Sequence, residues 1–187
     1  MVSLDFLMTL PLQVHQQLFA QVDKCPEIKV GDHWFRRFQD QLYFTTEYED
    51  VSLWQKSFSL DDFTKVGDYS FELPNAIGQI SLSLLKGREI DKSKGDQKNL
   101  KIKAPEINQK VTIKFKHDNP KCLPDYRQHS RSLKKVLQEL SIAPWQRKRL
   151  PFLYYVEVLI AVLGHFVCKP FMIDDLMPYL RVRWQGK

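Results

Sequence analysis

Leu150-Pro151-Phe152-Leu153-Tyr154-Tyr155-Val156-Glu157-Val158-Leu159-Ile160-Ala161-Val162-Leu163-Gly164-His165-Phe166-Val167-Cys168 is an almost unbroken apolar run, and its reading decides the fold. It follows Arg147-Lys148-Arg149, so it imitates a membrane span with a positive flank. Pro151, Glu157 and His165 argue against a span. An acid near the middle of a membrane helix costs about 2.5–3.5 kcal/mol, judged by aspartate on insertion scales. The run is also rich in Val, Ile, Tyr and Phe, which pack well in strands. It reads as buried strands at Leu153–Tyr155, Val158–Val162 and Phe166–Val167. A membrane-anchored protein is the alternative, and it predicts a helix over Leu150–Cys168.

Outward from this run the pattern stays mixed. Leu180, Val182 and Trp184 alternate with Arg181 and Arg183, a closing strand. Before the run, Leu133, Val136, Leu137 and Leu140 fall at i, i+3, i+4 and i+7, the core face of a helix that Ser130 or Ser132 can cap. Pro144 ends that helix or starts a further short turn. Val111, Ile113 and Phe115 alternate with Thr112, Lys114 and Lys116, and Ile80, Leu82 and Leu84 with Ser81 and Ser83. His33–Phe38 and Leu42–Thr45 read as an aromatic hairpin. Residues 46–68 read as loops with a docked turn around Val51–Trp54, and the Lys-rich residues 86–103 as a surface loop. Thr9 with Pro11, then Val14, Leu18 and Val22, predict a helix that Cys25-Pro26 ends. The expected class is α+β: a mixed, mostly antiparallel sheet with few helices over 27–187, preceded by a helical segment over 1–26.

The 187 residues, 43% of them hydrophobic, suffice for one good domain or two small ones. The net charge of +6 favours an anionic partner such as nucleic acid or an acidic membrane, against the alternative of charge that only keeps the chain soluble. Cys25, Cys122 and Cys168 form no C-x-x-C pair, so neither a disulfide framework nor a zinc ribbon is drawn, and a reducing, cytoplasmic compartment fits. The first residues lack the charged start and cleavage site of a signal peptide. No two of the seven glycines are adjacent and no G-x-G occurs, so no phosphate-cradling loop can be drawn. No two histidines sit at helical ligand spacing, and His165 reads as a core histidine. No catalytic residue, no metal ligand and no cofactor site is expected in this chain, which reads by itself as a binding module.

The informative segment is Arg127 to Arg149. Opposite the leucine face stand Arg131, Lys134, Lys135 and Gln138, with Arg127 before them and Arg147, Lys148 and Arg149 after them. Glu139 is the one acid in that window. Like charges at i, i+3 and i+4 repel, so a stripe without interspersed acids suits phosphates, each neutralised phosphate releasing a counterion. Arg also offers two parallel hydrogen bonds to a phosphate. A solvated helix face is the bland alternative. Trp145 is a candidate for stacking a base, with core packing as its alternative.

The run Arg131-Ser-Leu-Lys-Lys-Val-Leu-Gln-Glu-Leu-Ser-Ile-Ala-Pro-Trp-Gln-Arg147, then Leu150–Tyr155 and Leu159–Val162, resembles the C-terminal domain of bacterial tRNA(Ile)-lysidine synthetases. Gly31–Tyr43 is similar to that family's aromatic hairpin, and Phe71–Pro74 and Val111–Lys116 fall where family strands fall. The likeness is most specific over 127–168. It implies a fold similar to a module of phenylalanyl-tRNA synthetase, and a part that grips tRNA(Ile) through Arg127, Arg131, Lys134 and Lys135. The family attaches lysine to C2 of the wobble cytidine of tRNA(Ile) with the CAU anticodon. That chemistry needs ATP with magnesium in an N-terminal PP-loop domain, a partner this chain would meet in cis or in trans. Alone it is expected not to catalyse, and a homodimer is a further expected partner. A free-standing RNA-binding or regulatory module is the alternative function. The sequence departs from the family at His129-Ser130 and at Val156, where members often carry glycine.

Overall fold

The computed structural model describes residues 16, 25–60, 62, 68–85, 99–173 and 177–186. The chain divides into two compact units, residues 1–49 and 50–187. The helix expected over residues 1–24 lies, apart from a helical Gln16, outside the described residues.

The first unit holds an antiparallel meander of β1 (Glu27–Val30), β2 (His33–Phe38) and β3 (Gln41–Thr46). This is the expected hairpin with one more strand. Two-residue turns join the strands, with Val30 opposite His33 and Phe38 opposite Gln41. Gly31 and Gln39 take the left-handed backbone that such turns require. Arg36 is buried, yet its charge is satisfied: Nε donates to Glu27 Oε2 at 3.2 Å and Nη1 to Thr45 Oγ1 at 2.7 Å. The guanidinium also lies over the rings of Trp34 and Tyr48.

The second unit is built on two antiparallel sheets. One has the order β13-β12-β11-β8-β4: Phe166–Val167, Val158–Val162, Phe152–Tyr155, Val111–Lys114 and Gln55–Phe58. The other has the order β5-β6-β14-β7: Asp68–Glu72, Gln79–Leu85, Tyr179–Gln185 and Asn99–Lys103. The apolar run of the sequence is thus three neighbouring strands, and among the described residues no helix is long and apolar enough to cross a membrane. The run is apolar throughout because both faces of its sheet are covered. Leu153 and Tyr155 enter a core shared with Ile80, Leu82, Ile102, Leu180 and Val182 of the second sheet. Phe152 and Tyr154 point the other way, into a core with Leu133, Val136 and Leu137 of helix α1 (Leu133–Glu139). A bulge keeps β12 in step with both cores. Ala161 pairs with Leu153 and Leu159 with Tyr154, so Ile160 is the extra residue. Ile160 and Ala161 therefore share one core while Leu159 and Val162 share the other.

Several expectations change. Residues 99–103 are not loop but β7, paired with β14 along its length. Leu100 and Ile102 point inward between Asn99, Lys101 and Lys103, so the lysines mark the outer face of a strand. Residues 46–68 are not all loop, since they contain β4 and the first residue of β5. The turn at Val51–Trp54 is present, closed by Trp54 N–H donating to Val51 O at 3.0 Å. His165 is not a core histidine: it is exposed, in the turn between β12 and β13. Cys122 and Cys168 are buried free thiols, and Cys25 is an exposed one.

Candidate nucleic-acid interface

Helix α1 has only seven residues, too few to hold together in water alone. The fold supplies what it lacks. A short ribbon of β9 (Lys121–Cys122) and β10 (Arg131–Ser132) leads directly into it. Ser132 occupies the cap position, but its side chain does not cap, and neither expected serine does so. The free amides are taken from the preceding loop: Leu133 N–H donates to Pro120 O at 2.9 Å, and Lys134 N–H to Asn119 Oδ1 at 2.8 Å. Asn119 is itself set by His117, whose Nδ1 accepts the Asn119 N–H at 3.0 Å. His117 is half-buried against the edge of Phe152. Burial first, and then the Lys134 ammonium, hold its pKa below the ordinary imidazole value against the pull of Asp118. At the other end, Ser141 in the left-handed conformation stops the helix, and Ile142 N–H donates to Leu137 O at 3.2 Å.

With Leu133, Val136 and Leu137 buried, the outer face presents Lys134, Lys135 and Gln138, all exposed. Among the described residues neither lysine meets a carboxylate within ion-pair distance. Arg127 and Arg131 are brought together, but around an acid. Glu139 accepts from Arg127 Nη1 through Oε2 and from Arg131 Nη1 through Oε1. The loop carrying Arg127 is pinned by Lys169, whose Nζ donates to Arg127 O at 3.1 Å and to Gln128 Oε1 at 3.3 Å. Reading the sequence missed Lys169, Asn119 and His117, because each acts from outside the helical window.

The remaining candidates sit on or after α2 (Pro144–Arg147). Arg147 Nε donates to Ile142 O at 2.7 Å and Arg149 Nη2 to Asn75 O at 2.9 Å, so both lend hydrogen bonds to the fold. Lys148 is exposed. Trp145 is a correction: only 5% of it is accessible, so its ring is a packing element with no face open to a base. Among the described residues no three His, Cys, Asp or Glu side chains gather as a metal site would require.

Comparison with known proteins gives matches over part and over most of the chain. Residues 111–184 match the family described as TilS substrate C-terminal domain. The chain is 34% identical over 177 residues to the tRNA(Ile)-lysidine synthase of Serratia proteamaculans, covering 92% of this chain and 36% of that protein. It is 27% identical over 176 residues to the enzyme of the same name from Photobacterium profundum, covering 91% of this chain and 36% of that protein. A solved structure described as the TILS C-terminal domain aligns with a TM-score of 0.47 and 14% identity, covering 64% of this chain and 97% of its own. The chain thus spans about a third of the length of these curated relatives.

Proposed function

On the premise that this chain belongs with the C-terminal part of the tRNA(Ile)-lysidine synthases, we propose that it is the part that grips tRNA(Ile), with the bond-making done elsewhere in the whole protein. The observation that carries this is α1, a short helix fixed at both ends that displays Lys134, Lys135 and Gln138 to solvent inside the family-matched region. Lysines without a carboxylate partner are free to neutralise phosphates, and a fixed helix presents them without further ordering. Arg127 and Arg131 flank them in sequence, and the exposed Lys148, with Arg147 and Arg149, is a further candidate contact in this reading. In this reading an N-terminal PP-loop domain, in cis or in trans, uses ATP with magnesium to activate the wobble cytidine. Lysine is then joined to it, in the cytoplasm where tRNA is found.

The test is binding of the purified chain to tRNA(Ile) with the CAU anticodon, against tRNA(Met), across a salt series. A Lys134→Glu/Lys135→Glu chain is run beside it. Binding should weaken with salt, and the double variant should lose affinity about tenfold or more, with a salt slope smaller by roughly two. Preference for tRNA(Ile) would place selection in this part. Equal binding by the double variant and the unaltered chain would remove α1 from the interface.

A further inference from the structure

We propose that Glu139 is a positioning residue that aims Arg127 and Arg131 at one phosphate of the bound RNA. The proposal rests on the reading of α1 as the RNA face. Two effects oppose an acid at Glu139, one on the helix and one on binding. It lies in the last turn of α1, where the helix dipole disfavours an acid. It is the one acid between Arg127 and Arg149. It also subtracts charge from a surface that would attract a polyanion.

The geometry shows what it contributes. One carboxylate takes one nitrogen from each of two arginines that come from different elements, a loop and β10. Arg127 Nε turns to His129 O at 3.4 Å. Among the described residues, Arg127 Nη2 and Arg131 Nε and Nη2 meet no acceptor, so donors remain on both guanidiniums. The side chains are 24% and 46% exposed, so these donors lie within reach of solvent. Free arginine side chains lose much rotamer freedom when they close on a phosphate. Two guanidiniums already tethered to Glu139 lose less, and together they form a fork that fits a phosphate group.

Charge and positioning predict opposite signs for one substitution. Glu139→Gln makes the face more positive, so charge alone predicts tighter binding. Positioning predicts a Kd for tRNA(Ile) higher by about three- to tenfold, the size of an ordinary coupling between contacting residues, and a salt slope smaller by about one. Glu139→Asp keeps the charge and should retain most of the affinity. Glu139→Gln binding as tightly as the unaltered chain, or more tightly, overturns the proposal. Lys134→Glu/Lys135→Glu measured in the same series then shows whether the RNA face itself still stands. Parallel losses of binding and of melting temperature in both Glu139 variants would mark a merely structural residue and also overturn it. A second arm replaces RNA with inorganic phosphate and follows the arginine side-chain N–H resonances. In the unaltered chain those of Arg127 and Arg131 should shift together, and in Glu139→Gln they should not. The same shifts in both chains overturn the fork even if tRNA fails to bind.

Discussion

Val156 and Val158 offer a controlled measurement of backbone strain. Val156 is the first residue of the β11–β12 turn and Val158 the first residue after it, and the two are almost equally exposed, at 53% and 55%. Val158 sits in an ordinary strand conformation, opposite Tyr155. Val156 has φ of +54°, the left-handed region that a β-branched residue adopts only under constraint. Its N–H donates to Lys110 O at 2.8 Å, a bond that any residue but proline keeps. Replacing either valine by glycine removes a half-exposed side chain, about 1 kcal/mol of burial, and adds about 0.5–1 kcal/mol of backbone entropy to the unfolded chain. At Val156 glycine also relieves a left-handed penalty of about 1–2 kcal/mol. Val158→Gly should therefore destabilise by about 1.5–2 kcal/mol, whereas Val156→Gly should be near neutral. Urea melts of the two variants, followed by near-ultraviolet circular dichroism, measure the gap. Equal losses within about 0.5 kcal/mol would refute the strain assignment, since burial and entropy then account for both sites.

Gly78 has the opposite character. Its φ is +125° and a Cβ there would lie 2.0 Å from the backbone oxygen of Gln185, so Gly78→Ala should cost about 2–4 kcal/mol in urea melts, and a loss below about 0.5 kcal/mol would refute that packing. His117 predicts a pH dependence. Its pKa in the fold is depressed, so as pH falls the unfolded chain takes up the proton first, near pH 6.5. The stability that neutral His117 contributes is complete above about pH 6.5 and is lost as pH falls through the folded-state value. His117→Gln should flatten that part of the profile, and an unchanged slope would refute the assignment. Because Lys134 helps depress this pKa, phosphate bound at Lys134 should raise it, a shift that histidine NMR reads directly.

The legible parts of the fold are those where one period dominates a segment. The alternation at Val111–Lys114 and Tyr179–Gln185 marked their strands, and the leucine spacing marked α1. The Leu150–Cys168 run was readable as strands from its acid, its proline and its β-branched residues, although its lack of alternation hid that it carries two cores. The strand β7 escaped because Asn99, Lys101 and Lys103 outweigh Leu100 and Ile102 by composition, and composition reads a lysine-rich stretch as loop. The short β4, Gln-Lys-Ser-Phe, buries only Phe58 and offers no pattern to count. In the candidate site the exposed lysines were readable, since helical spacing alone separates them from the leucines. The pairing of Arg127 with Glu139 was not, because the two stand twelve positions apart with a strand between them. The burial of Trp145 turns on how α2 folds back, which Pro144-Trp145 does not encode locally.

The same asymmetry bears on why a basic face stands on so short a helix. Lys134 and Lys135 sit in the first turn, where the helix dipole disfavours cations, and Glu139 sits in the last, where it disfavours acids. Each end is charged against the helix, by a few tenths of a kcal/mol to about 1 kcal/mol per residue at exposed positions. An isolated peptide of this sequence should therefore not be helical. What offsets the misfit is the packing of α1 into the fold: its Leu133, Val136 and Leu137 are buried, two of its amides are capped from residues 119 and 120, and two arginines from outside it close on Glu139. A phosphate near the first turn would complement both the lysines and the dipole at once. The last turn is thus compensated by the two arginines, whereas the first turn stays charged in the sense that an anionic partner would correct, and local stability alone gives no reason for that arrangement.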